Sequence, residues 1–365
     1  MSITSLRITN FRNLAAINLA FIPQGISIID GQNGSGKTNL LEAIYYLGFG
    51  RSFRTSFATH LIRYKTDRFS IFAQLISNHA YSMPIGIEKE LNDLLRIRIA
   101  EKELTNSTEL ASYLPIRIIH SQSHQLLEAG PLFRRKYLDW GLFYHFEEFL
   151  SSWRHYERIL KQRNAVLREK CSKKELEPWT REIIKYGLIL DQFRRDYVKL
   201  LSPIITHITQ QLLDINGLEM TYQSGWNESL DYTAVLSNCY QEDCRLGYTQ
   251  FGPHRADFQV TFNAIPAKHF LSRGQQKLMV CAMILAQGLL LKQVVNKGLI
   301  YLIDDLPSEI DTQNRSKLIA LLAAQQQAQT FITAIDRNDI AECLDNISQE
   351  AVKVFHVEQG CIVEQ

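Results

Sequence analysis

The segment Gly31-Gln32-Asn33-Gly34-Ser35-Gly36-Lys37-Thr38 constrains this chain more than any other. It matches G-x-x-x-x-G-K-[ST] and follows the apolar run Ile26-Ser27-Ile28-Ile29-Asp30. Leu40, Leu41, Ile44 and Leu47 come next at helical spacing, which predicts a helix from Lys37 to about Leu47. Strand, glycine turn and helix in that order form a cradle for phosphate. Glycines let the backbone N–H groups curl around an anion, and the new helix aims its positive end at it. In such a loop the lysine reaches the terminal phosphates and the hydroxyl after it ligates Mg²⁺. Lys37 and Thr38 are therefore the expected phosphate and metal contacts.

A second piece of the same chemistry lies far along the chain. Leu299-Ile300-Tyr301-Leu302-Ile303 reads as a buried strand that ends at Asp304 and Asp305. A carboxylate at Asp304 can hold the Mg²⁺ shell, and Asp305 can polarise an attacking water. A third piece, Leu271-Ser272-Arg273-Gly274-Gln275-Gln276-Lys277, opens a helix, with Ser272 and the N–H groups after it forming an anion site.

Between these pieces the texture changes. Residues 68–100 alternate like strands, and Ile116 to Ile119 is another apolar run. From Phe143 to about Lys170, apolar residues fall at helical spacing. Cys171 to Pro178 reads as a turn, and a second helical stretch from Trp179 to about Leu201 resumes after Pro203. Two antiparallel helices are the simplest reading. From about 216, short strands return. The expected organisation is an α/β unit of residues 1–130 and 216–365, split by a helical arm of residues 131–215.

Charge separates along the same lines. The chain has 365 residues with 40 Lys+Arg and 38 Asp+Glu, a formal charge of only +2. Residues 134–199 hold 16 basic and 10 acidic residues, or +6, leaving −4 elsewhere. Arg154, Arg158, Lys161, Arg163 and Arg168 on the first helix are candidate phosphate-backbone contacts. So are Arg181, Lys185, Arg194, Arg195 and Lys199 on the second. No aromatic platform or base-reading motif is evident, so weak sequence preference is expected.

Other classes fall away. The longest apolar stretch, Met279 to Leu291, is broken by Gln287 and Gly288 and is shorter than the roughly 20 residues of a membrane span. No membrane association is expected. The six cysteines form no CxxC pair, so neither structural zinc nor a disulfide framework is expected, and reduced thiols in a cytoplasm are the default.

Ser272 to Gln275 looks like the LSGGQ signature of ABC-type ATPases, with Arg273 replacing the first glycine. Ser308-Glu309-Ile310-Asp311 resembles their D-loop. With Thr9-Asn10-Phe11-Arg12-Asn13-Leu14, Gly50-Arg51-Ser52-Phe53-Arg54, Gly130 to Asp139 and Gly252 to Asp257, the set resembles the RecF family of bacterial recombination mediators over essentially the whole chain. The resemblance implies an ABC-type P-loop ATPase head with an inserted α-helical arm. It implies ATP and Mg²⁺ as cofactors, held by Arg12, Gly31, Gln32, Asn33, Gly34, Ser35, Gly36, Lys37, Thr38 and Asn39, with Asp304 on the metal. In that superfamily the signature reaches the γ-phosphate on a second head, so Ser272, Gly274 and Gln275 would act in trans in an ATP-dependent homodimer on single- and double-stranded DNA. RecR, RecO, RecA and single-strand-binding protein are the implied partners, and recombinational repair, replication-fork maintenance and SOS induction the implied role.

Some positions depart from the family pattern. Gln122-Ser123 replaces a Pro-acid pair, and Gln122 is a candidate Q-loop metal contact. Ala129, Ala256 and Ile310 replace a glycine, an acid and a leucine. No switch histidine is evident, and Thr333 or Asp336 can stand in its place. His254 and Arg255 line a DNA or nucleotide surface or buttress their loop. A P-loop small-molecule kinase explains Lys37 and Asp304 but not the signature or the basic arm. A transporter ATPase subunit predicts a Gly-Gly signature, a glutamate at 305 and no basic hairpin.

Overall fold

Alternating apolar residues near the N-terminus pair into an antiparallel sheet. In the computed structural model, which describes residues 1–77, 81–92, 94–169, 172–325, 327–345 and 347–365, β1 (Ser2–Phe11), β2 (Leu14–Ala20), β4 (Arg68–Ile76), β5 (Ser82–Glu90), β6 (Leu95–Ile99) and β7 (Lys102–Leu104) form one sheet in the order β2-β1-β4-β5-β6-β7. Every second side chain is buried, as with Phe69, Ile71, Ala73 and Leu75 on β4.

The second sheet has the opposite texture. Strands β3 (Ile26–Asp30), β8 (Ile116–Ile119), β12 (Ile300–Ile303), β13 (Gln329–Ala334), β14 (Val352–Glu358) and β15 (Cys361–Glu364) take the order β15-β14-β3-β13-β12-β8. All but the β14–β15 pair are parallel. β3, β12 and β13 are buried at every residue, as parallel strands covered on both faces must be. The helix Lys37–Phe49 joins both sheets in one core, through Leu40, Leu41, Ala43, Ile44 and Leu47. Because β3, β13, β12 and β8 run the same way, their C-terminal ends share one edge. That edge carries the glycine loop, Thr333, Asp304 and Ser121.

The inserted portion is larger than expected. Residue contacts divide the chain into one unit of residues 1–123 and 277–365 and another of residues 124–276. The expected borders at 130/131 and 215/216 are corrected accordingly. Residues 216–276 belong with the helices because β9 (Leu218–Gln223) packs on the helix Lys173–Leu213, in a small sheet with β10 (Asp257–Phe262) and β11 (Ile265–Pro266). Arg134 also grips Asp257 through two hydrogen bonds of 2.7 and 2.9 Å.

The helical reading is corrected too. Three main helices stand where two were expected: Pro131–His145, Phe149–Arg168 and Lys173–Leu213. The last has 41 residues, about 60 Å at 1.5 Å per residue, and carries both Pro178 and Pro203 inside it. It starts within the expected turn because Ser172 and Glu175 form a reciprocal capping box. Burial of Ile183, Leu190, Leu201, Ile205 and Leu212 along one stripe carries it past Pro203. Cys171 and Lys170 lie outside the described residues.

One more expectation needs correction. The helix Arg273–Leu290 continues to Val295, and Arg273–Val295 is long and apolar enough, by length and composition, to cross a membrane. Most of it is buried within the protein, so its apolarity is that of a core helix.

Candidate nucleotide site

The site begins with backbone conformation. Gly31, Gly34 and Gly36 have φ of 144°, 78° and 125°, which side chains rarely adopt. At Gly36 a Cβ would stand 3.0 Å from the Asn13 side chain. That side chain is the loop's clamp: Asn13 Nδ2 donates to the Ser35 carbonyl at 3.0 Å, and the Gly360 N–H donates to the same oxygen at 2.8 Å.

The chemistry gathers in a cleft of about 340 Å³. Asn33, Gly34, Gly36, Lys37, Thr38 and Asn39 line it, and Asp304 and Asp305 face them. The Thr38 hydroxyl donates to Asp304 at 2.9 and 3.2 Å to the two carboxylate oxygens. Thr333, one of the two candidates for the switch position, ties the acids together. Its hydroxyl donates to Asp304 Oδ1 at 2.9 Å and accepts from the Asp305 N–H at 2.7 Å. Asp305 sits at φ 54°, and Ser308 donates to its Oδ2 at 2.6 Å. Lys37 Nζ donates to the Gly31 and Gln32 carbonyls at 2.5 and 3.0 Å. Burial pushes its ammonium below the ordinary lysine value, opposed by Asp305, Asp304 and Asp30.

These residues fit a magnesium nucleotide. The glycine cradle leaves space beside Gly34, where a Cβ would meet nothing within 4 Å. Ser35 Oγ and Asp305 Oδ1 are buried with no hydrogen-bond partner among the described residues, and such groups call for an external partner.

Several expected residues stand elsewhere. Arg12 does not line the cleft but pairs with Glu42. Ser121 lines the cleft, whereas Gln122 is exposed outside it. Asp336 is also absent from its lining. Ser272 is an exposed helix N-cap: its N–H donates to Gln275 Oε1 at 3.0 Å, and its Oγ accepts from the Gln275 N–H at 3.4 Å. Ser272, Gly274 and Gln275 lie in the 124–276 unit and the glycine loop in the other. Arg54 and Glu309, the latter within the D-loop-like segment, also line the cleft, where the sequence reading placed neither. Arg54 ends the run Gly50-Arg51-Ser52-Phe53-Arg54, in which nothing local marks it as a cleft residue.

The basic candidates separate by burial. Arg154, Arg158, Lys161, Arg168 and Lys185 are exposed. Arg163 and Arg194 are corrected: their side chains are 1% and 0% exposed and serve internal ion pairs. Arg163 bonds Asp243 at 2.9 Å and Thr249 at 2.6 Å, and Arg194 bonds Asp139 at 2.9 Å and the Pro253 carbonyl at 2.6 Å. Arg195 is half-buried and held by Asp191 and Glu228 at 2.8 and 3.0 Å. His254 buttresses its loop, bonded to the Tyr156 hydroxyl at 2.7 Å and the Thr249 carbonyl at 3.0 Å. Arg255 is exposed, with its guanidinium over the Tyr248 ring.

Known proteins resemble this chain in sequence and fold. The family model for the RecF/RecN/SMC N terminal domain matches residues 2–363. The DNA replication and repair protein RecF of Shewanella denitrificans is 40% identical over 361 residues, 99% of this chain and 98% of the relative. That of Shewanella loihica is 38% identical over 360 residues, again 99% and 98%. Among solved structures, the recombination mediator protein RecF with ATP, of the RecFOR pathway, superposes with a TM-score of 0.86 at 24% identity, covering 100% of this chain and 97% of the other. An Smc head bound to the C-winged helix domain of ScpA superposes at 0.61 with 15% identity, covering 100% and 98%. At these identities the structural likeness is one of fold.

Proposed function

The chain belongs to the RecF family, and from that premise we propose that it is an ATP-switched recombination mediator acting on DNA. The observation that carries the ATP reading is the Thr38–Asp304 bond, in a cleft that Lys37 and Asp305 also line. Bound Mg-ATP supplies the phosphoanhydride whose cleavage resets the switch. The loop N–H groups from Asn33 to Thr38 bind its phosphates, and Lys37 offsets their charge. Thr38 and Asp304 would hold the metal. Thr333 keeps the two acids in register, and the unpaired Asp305 Oδ1 can accept a proton from a water.

Ser272 and the N–H groups after it complete the site of a second copy, which makes dimerisation depend on ATP. Binding the closed dimer more tightly than the open monomers is what lets the nucleotide act as a switch. The exposed Arg154, Arg158, Lys161, Arg168 and Lys185 contact the backbone of single- or double-stranded DNA without reading bases. Family membership supports RecO, RecR, RecA and single-strand-binding protein as partners, and the cytoplasm as the location.

The test is sizing chromatography and gapped-DNA binding with and without ATP, for wild type, Lys37→Met and Ser272→Arg. The reading expects ATP-dependent dimers and DNA binding in the wild type alone. Equal DNA binding by all three without nucleotide would remove the switch. Phosphoryl transfer to a soluble acceptor without DNA would favour a kinase instead.

A further inference from the structure

Beside the nucleotide cleft, several polar groups converge on the carboxylate of Glu42. It lies on the helix Lys37–Phe49, one turn after Thr38, and is wholly buried. Arg12, from the turn between β1 and β2, donates to it through Nε and through Nη2 at 2.9 Å. Ser52 Oγ donates to the same carboxylate, and Arg54 Nη1 stands 3.5 Å from it. Three chain segments therefore meet at one buried charge.

Arg54 connects this charge to the phosphate loop. Its Nη1 donates to Asn39 Oδ1 at 2.9 Å, and Asn39 Nδ2 donates to Asn13 Oδ1 at 2.8 Å. Asn13 in turn holds the Ser35 carbonyl. A continuous chain of polar contacts thus runs from Glu42 to the loop that cradles phosphate.

Charge decides what the cluster can do. One guanidinium suffices to compensate a buried carboxylate, and Arg12 already does so through two bonds. Arg54 adds a second positive charge, so the three groups sum to +1, and of them Arg54 is the one that lines the cleft. The Arg54 side chain is 43% exposed, and Arg12 is 21% exposed. Arg12 Nη1 and Arg54 Nε and Nη2 carry no hydrogen bond among the described residues. A purely structural ion pair has no use for a second, half-exposed arginine lining the phosphate cleft.

We propose that Glu42 is a positioning residue for nucleotide binding: with its charge already compensated by Arg12, it holds Arg54 so that the free donors of Arg54 serve the nucleotide's phosphates. The proposal rests on the ATP reading above. Its test is a double-mutant cycle on the full chain. Affinity for a fluorescent ATP analogue, KM and kcat are measured for wild type, Glu42→Gln, Arg54→Ala and the double variant. Glu42→Gln keeps the side-chain shape and removes the charge. It should weaken nucleotide binding about tenfold, the size of one lost charge-assisted hydrogen bond. Arg54→Ala should do the same, and the double variant should be within about twofold of the weaker single one. kcat should stay within about twofold, because Lys37, Thr38 and Asp304 are untouched.

Nucleotide affinity unchanged in Glu42→Gln, or losses that multiply in the double variant, would overturn the proposal. Should Glu42→Gln fail to fold, Glu42→Asp keeps the charge and withdraws it by one methylene. A raised KM with kcat retained supports the proposal, and an unchanged KM overturns it. Absence of ATP binding in the wild type counts against the ATP reading. Wild-type binding with multiplicative losses counts against Glu42 alone.

Discussion

Arg163→Ala should destabilise the 124–276 unit without acting through DNA. The guanidinium is 1% exposed and its partner Asp243 is 0% exposed. Arg163 Nη1 donates to Asp243 Oδ2 at 2.9 Å and to Thr249 Oγ1 at 2.6 Å. Truncation leaves the Asp243 carboxylate buried without a counter-charge, a loss that typically costs about 3–5 kcal/mol. The low end applies, because Gln250 still donates to Asp243 Oδ1 through its N–H at 3.1 Å and its side chain at 3.2 Å. For a unit of this size about 3 kcal/mol lowers Tm by roughly 6–12 °C. Arg158→Ala and Lys161→Ala, on the exposed face of the same helix, should each change stability by less than about 0.5 kcal/mol. The assay is thermal and urea denaturation of the full chain, paired with DNA binding at low salt. Unchanged melting of Arg163→Ala together with weaker DNA binding would refute the assignment and return Arg163 to the DNA surface.

Gly36→Ala forces a side chain onto φ 125° and against Asn13, so ATP affinity measured by calorimetry should fall more than about tenfold. Thr333→Val removes the hydroxyl joining Asp304 to the Asp305 N–H; kcat for ATP should drop about tenfold with affinity within about twofold, as measured by steady-state hydrolysis and nucleotide titration. Burial pulls the His254 imidazole down to about 4 from an ordinary 6.5. The fold therefore favours the neutral ring, and the stability this contributes is full above about pH 6.5 and is lost as pH falls toward 4. Melting temperature against pH should be flatter over that window in His254→Gln than in the wild type.

What could be read from the sequence was local. Strand, glycine loop and helix are contiguous from Ile26 to Phe49, and their geometry follows from neighbouring residues. The acids after β12 and the capping Ser272 were legible for the same reason: each follows from a short run and the element it ends or begins. The net charge of the inserted segment could be counted, but not which of its arginines face water. A helix of mixed polarity turns Arg158 outward and Arg163 inward, and only partners such as Asp243, 80 residues away, decide which is buried. The border near 276 was invisible for a similar reason, since β9 and β10 join the helices through packing and ion pairs that no local pattern announces.

The nucleotide site shows the division most plainly. Sequence alone identified Lys37, Thr38, Asp304 and Asp305 by type and context. That Thr38 meets Asp304 across 266 residues, with Thr333 between the acids, was decided by the strand order β3-β13-β12. Parallel pairing brings the C-terminal ends of those strands to one edge. Glu42 shows the converse: no local pattern on the loop helix marks it, and its burial between Arg12 and Arg54 exists only once both sheets close over that helix. Short-range sterics and hydrogen bonding determine elements, whereas burial and charge pairing depend on which distant segments arrive beside them.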